Sequence, residues 1–128
     1  MDKRKILIVD DEKGFTEMLQ LNLESTGKYD VRIVNEPQNA VIAALQYQPD
    51  LILLDIIMPN MEGPDVAIEL KNNPEIKDVP IVFLTATVTR QEVESQNGVI
   101  GGRIFVAKPS RLVDLLDSID KTLNACAN

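Results

Sequence analysis

The sequence predicts an α/β fold in which a parallel sheet carries helices on both faces. Three observations predict it. Short, almost wholly apolar runs recur along the chain: "ILIV" (6–9), "LILLDI" (51–56) and "IVFLTA" (81–86). Such runs mark central strands that are covered on both sides. Amphipathic stretches of helical period separate them, and strand and helix alternate five times, the pattern of a sheet built from crossover units.

The elements follow in order. "ILIV" is the first strand. Phe15, Met18, Leu19 and Leu23 then fall on one face of a first helix. "YDVRIV" (29–34) alternates, with Tyr29, Val31 and Ile33 on one side, and reads as an edge strand. Ala40, Ala43, Ala44 and Tyr47 share a face of the second helix, with Pro37 suited to its first position. "LILLDI" is the third strand. Pro64 suits the start of the third helix, whose Val66, Ala67 and Leu70 face inward. "IVFLTA" is the fourth strand. A fourth helical stretch, "TRQEVESQNG" (89–98), begins with the capping pair Thr89 and Glu92, but Val93 is almost its only apolar residue. It can bury little and is expected to be loosely held. "RIFVAK" (103–108) is the fifth strand, reached through the glycine-rich "NGVIGG". Leu112, Leu115, Leu116, Ile119 and Leu123 form the stripe of the last helix, which Ser110 is placed to cap.

With 128 residues the chain suits one domain, residues 1–128, around a single core. Thirteen basic and twenty acidic residues leave a net charge of −7, which argues against a nucleic-acid surface. The amino terminus has too few apolar residues for a signal peptide or membrane span, so a cytoplasmic location is expected. The absence of histidine excludes serine–histidine and cysteine–histidine catalysis and histidine metal sites. The one cysteine, Cys126, stands near the end of the chain and makes no internal disulfide.

Polar residues gather where the strands end. The first strand runs into Asp10, Asp11 and Glu12, the third into Asp55, the fourth into Thr85 and the fifth into Lys108. Each alone has an ordinary explanation: Asp10 or Asp11 as a helix cap, Thr85 as a loop hydroxyl, Lys108 as a solvated strand end. In an open parallel sheet, however, ligands bind outside the carboxyl ends of the strands. Three carboxylates converging there repel one another. Lys108 supplies one positive charge against three negative ones. A hard divalent cation bound by oxygens resolves the imbalance, and Mg²⁺ suits an open, partly hydrated site.

At these residues the chain resembles the receiver domains of two-component response regulators. The resemblance rests on "VDDE" (9–12), "LLDIIMPNMEG" (53–63), "TA" (85–86) and "FVAKP" (105–109), and extends from about residue 4 to 124. It implies a flavodoxin-like, doubly wound, five-stranded parallel sheet of order 2-1-3-4-5 with five helices. Asp55 is then the phosphoryl acceptor, taking its phosphoryl group from a sensor histidine kinase or phosphotransfer protein. Asp11 and Asp55 would bind Mg²⁺ directly, Asp10 through water and Ile57 through its backbone carbonyl. Lys108, the Thr85 hydroxyl and the Ala86 backbone N–H would hold the phosphoryl oxygens. Thr85 and Phe105 would form the switch, the threonine moving toward phosphate and the ring filling the space it leaves. The surface of the fourth helix, fifth strand and last helix would carry the signal to a downstream protein or an attached output domain.

Two features bear on how such a switch would behave. Apolar Ile57, two residues past Asp55, should hinder hydrolytic water and lengthen the phosphoryl lifetime. The "NGVIGG" connection and Ser110 lie on the expected output face, so the resemblance names no partner. No separate enzymatic output segment is legible in these residues, which form either a stand-alone receiver or part of a longer protein.

Rival readings meet specific obstacles. A phosphate-independent interaction module of the same fold is the main alternative, but such members usually lack the acceptor, the acidic pair or the lysine, and all stand here. A flavin carrier wants a Ser/Thr/Gly-rich loop where this chain has "DDEKGFTE". A phosphohydrolase with an aspartate nucleophile wants a second acid where Ile57 stands.

Overall fold

The computed structural model describes residues 3–55, 63–85, 99–100, 103–107 and 112–126. Six strands form one sheet: β1 (Arg4–Val9), β2 (Tyr29–Val34), β3 (Leu51–Asp55), β4 (Ile81–Thr85), β5 (Val99–Ile100) and β6 (Arg103–Ala107). Their order is β2-β1-β3-β4-β6-β5. The described helices are α1 (Lys13–Glu24), α2 (Ala40–Tyr47), α3 (Gly63–Lys71) and α4 (Leu112–Cys126). The expected helix at 89–98 lies outside the described residues.

Strand alternation assigns each apolar residue to a layer. In β1, Ile6 and Ile8 join one core while Leu7 and Val9 join the other. Leu51 and Leu53 follow the first pair, Ile52 and Leu54 the second, as a two-residue side-chain period requires. The first core is closed by Leu19 and Leu23 of α1 with Leu115, Ile119 and Leu123 of α4. The second is closed by Ala40, Ala44 and Tyr47 of α2 with Val66, Ala67 and Leu70 of α3. Burial on both faces is why β1 and β3 read as unbroken apolar runs. Truncating a fully buried leucine such as Leu53 to alanine costs about 2–5 kcal/mol.

The sheet departs from five parallel strands. β5 pairs antiparallel with β6, through Val99–Ile104 and Ile100–Arg103. In sequence the two stretches are separated by Gly101-Gly102, the composition a two-residue hairpin favours. The remaining pairings are parallel, and β2 stands at the edge. Val31 turns its backbone N–H and carbonyl to α1, where Glu24 and Gln20 bond them at 3.2 and 3.1 Å. This covers part of an otherwise open edge.

Two helical expectations are corrected. Met18 is half exposed, and Thr16 is buried with Leu19 and Leu23 instead. Pro37 begins a 3₁₀ turn, Pro37–Asn39, which leads into α2 at Ala40. The proline ring fits a first helical turn, where no N–H partner is needed.

Candidate functional site

The chain passes from β1 to β2 on one side and returns to place β3 on the other. The β1–β3 boundary is therefore the topological switch point, where the crevice of a doubly wound sheet opens. The register sets what stands there. Val9 pairs with Leu54, and one step further the sequence supplies Asp10 and Asp55 on neighbouring strands.

These acids are drawn together. Asp10, Asp11 and Asp55 each offer a carboxylate oxygen, and the three oxygens lie within 4.8 Å of one another. Asp10 is fully buried, Asp55 is 5% exposed and Asp11 is partly exposed. Two buried carboxylates and a third at the rim bring like charges together at this end of the sheet. An oxygen-only donor set of this kind fits a hard divalent cation.

Asp10 is held firmly. Its backbone N–H donates to the Val34 carbonyl at 3.0 Å, and its carbonyl accepts the Asn35 side-chain amide at 2.8 Å. Its Oδ1 accepts the Glu12 backbone N–H at 2.9 Å. The capping role open to Asp10 or Asp11 is thus not taken in the usual form. Glu12 occupies the N-cap position of α1 without a side-chain capping bond, while Asp10 shapes the turn before it.

The other expected site residues divide by position. Thr85 ends β4 opposite Ala107 of β6, and Asp55 pairs with Leu84. The β4 terminus therefore lies beside the acid-bearing end of β3. Phe105 pairs with Phe83 in the middle of the β4–β6 ladder. Ile57, Ala86, Lys108 and Ser110 lie outside the described residues. Sequence reasoning missed Asn35 and Thr16, whose side chains meet at 3.2 Å behind Asp10. An asparagine just past the edge strand was the available signal, and it belongs to no short motif.

Comparison with known proteins points one way. Residues 6–120 match the model of the response regulator receiver domain. The signal receiver domain of a signal transduction histidine kinase from Syntrophus aciditrophicus is 31% identical, with a TM-score of 0.77 over 95% of this chain and 91% of that one. A response regulator from Desulfuromonas acetoxidans is 26% identical, with a TM-score of 0.79 over 95% and 98%. The chemotaxis protein CheY4 of Vibrio cholerae is 25% identical, with a TM-score of 0.80 over 94% and 99%.

Proposed function

The chain belongs to the response regulator receiver domain family, and on that premise we propose that it is a phosphoryl acceptor in two-component signalling, with Asp55 as the acceptor. The observation that carries this reading is the gathering of Asp10, Asp11 and Asp55 at the β1–β3 switch point. A buried acid at a strand end is costly as a purely structural choice. It is well placed as a nucleophile whose charge is balanced when a ligand arrives.

In this reading Asp10, Asp11 and Asp55 would hold Mg²⁺ together with the backbone carbonyl of Ile57. The bound ion supplies positive charge for the carboxylates and the incoming phosphoryl oxygens. A carboxylate oxygen of Asp55 attacks phosphorus as the P–N bond of a phosphohistidine breaks. The new O–P bond is an acyl phosphate, and the bonding pair leaves with the donor imidazole. Lys108, Thr85 and the Ala86 N–H take the phosphoryl oxygens. The chain promotes its own modification and needs no separate enzymatic domain for that step.

The signal would then pass through Thr85 and Phe105, which stand on adjacent strands β4 and β6. The switching face would comprise residues 89–98, β6 and α4. The partners are a sensor histidine kinase or phosphotransfer protein and a downstream protein or attached output domain. No helix among the described residues is long and apolar enough to cross a membrane, and we place the protein in the cytoplasm with such kinases.

Intact-mass measurement after exposure to a small phosphodonor and Mg²⁺ tests the reading. The wild type gains one phosphoryl group and Asp55→Asn gains none. An unmodified wild type would favour the phosphate-independent module.

A further inference from the structure

We infer that Asn35 is a positioning residue for the cation site, acting through the backbone of Asp10. The inference rests on the Mg²⁺ reading above. Asn35 follows the last residue of β2 and is 25 positions from Asp10 in sequence. The β1–β2 register brings the two together, because Val9 pairs with Val34. The Asn35 amide then donates to the Asp10 carbonyl at 2.8 Å and to Thr16 Oγ1 at 3.2 Å.

The direction of this amide follows from its partners. The Asp10 carbonyl can only accept. Thr16 commits its hydroxyl proton to the Lys13 carbonyl at 3.0 Å, so its oxygen also accepts. Both contacts therefore require the nitrogen side of Asn35, whose two hydrogens suffice for both. Thr16 is fully buried in the first turns of α1. One side chain thus ties together the end of β2, the loop after β1 and the helix that follows.

The consequence falls on a ligand. Three acids in one cluster push apart, and the backbone bonds of Asp10 help to hold it against that push. The Val34 carbonyl holds Asp10 at its N–H, and Asn35 holds it at its carbonyl. Removing Asn35 takes away the amide donor to the Asp10 carbonyl and to Thr16 Oγ1 and lets the Asp10 carboxylate retreat from the cluster. Groups that support metal ligands typically change affinity by about 10–100-fold. Asn35 acts on the backbone rather than on the carboxylate itself, so about tenfold is expected.

Calorimetric titration of Mg²⁺ into the unphosphorylated protein tests this with Asn35→Leu, which keeps the size, adds no charge and removes both donors. Its Kd for Mg²⁺ should rise about tenfold. Tyr29→Phe, which loses only the bond to Asp120, should be less stable yet bind Mg²⁺ as the wild type does. Should Asn35→Leu fail to fold, Asn35→Ser has too short a donor to reach and carries the same expectation. Wild-type affinity in the substituted protein would overturn the role of Asn35 alone. Absence of Mg²⁺ binding by the wild type would overturn this inference together with the reading beneath it.

Discussion

The two ends of the sheet differ in how closely they bring their acids together. At the amino ends of the strands three acids each meet a donor from another element. Asp50 accepts the Lys5 backbone N–H at 2.8 Å, Asp30 accepts the Tyr47 hydroxyl at 2.8 Å, and Asp120 accepts the Tyr29 hydroxyl at 2.5 Å. Arg32 also stacks 4.7 Å above the Tyr47 ring centre, with Lys5 at 5.5 Å. Asp30 and Asp120 are exposed, so these arrangements stabilise modestly. At the carboxyl ends, three acids are gathered on one another and two of them are buried. At the amino end these bonds tie strands to helices and to one another. At the carboxyl end like charges are brought close together, as the proposed acceptor site requires.

The comparison is sharpest at Asp10. Two unit charges 4.8 Å apart repel by about 3 kcal/mol at an effective dielectric of about 20. Asp10→Asn removes a charge but keeps an oxygen for the Glu12 N–H. In chelator it should be more stable than the wild type by about 1–3 kcal/mol in denaturant unfolding. Added Mg²⁺ should stabilise the wild type in proportion to its occupancy and the variant far less. A less stable Asp10→Asn in chelator would break the contrast between the two ends.

At the amino end the expected effect is smaller and indifferent to Mg²⁺. Tyr47→Phe removes the bond to Asp30 and should cost about 1 kcal/mol. Burial raises the pKa of Tyr47 above its ordinary value of 10.0, with the Asp30 bond adding to it. Burial does the same for Tyr29, with Asp120 adding. The folded protein therefore keeps protons that the unfolded chain releases above pH 10. The stability tied to these rings is complete below pH 10 and is lost as pH rises beyond it. The chain has two tyrosines and no tryptophan, so tyrosinate absorbance reports them cleanly. Its rise should coincide with loss of circular dichroism, and ionisation of both rings near pH 10 in an intact fold would contradict the assignment.

The smallest effect concerns a local strain at the same end. Gln48 caps α2 with a φ of 53°, a left-handed conformation that glycine adopts more readily. Gln48→Gly should raise stability by about 0.5 kcal/mol in thermal unfolding, since the gain in backbone ease exceeds the loss of a bond to the Leu45 carbonyl. A loss of stability would show that this bond dominates.

How much of this was legible in the sequence depends on the range of the interaction. The strands were plain because burial on both faces leaves no polar interruption until Asp10 and Asp55, and those interruptions marked the site. Helix faces were read less well. Met18 fits a generous apolar stripe, but the buried face is centred toward Thr16, whose hydroxyl is satisfied by Lys13 and Asn35. A period count sees apolarity and cannot see a polar residue whose partners come from another element. Asn35 was missed for the same reason, since its partners appear only when β2 pairs with β1. The antiparallel pairing of β5 with β6 was not anticipated, although Gly-Gly between Val-Ile and Arg-Ile is a turn signal in its own right.

The central claim is that the acid ending β3 accepts phosphorus with help from the acids following β1. Borohydride reduction of the protein after treatment with a small phosphodonor, followed by peptide sequencing, tests it most directly. An acyl phosphate on Asp55 is reduced to homoserine, so homoserine should appear at position 55 when Mg²⁺ is present and nearly vanish when it is chelated. Homoserine at another position, or an equal yield without the metal, would contradict the account.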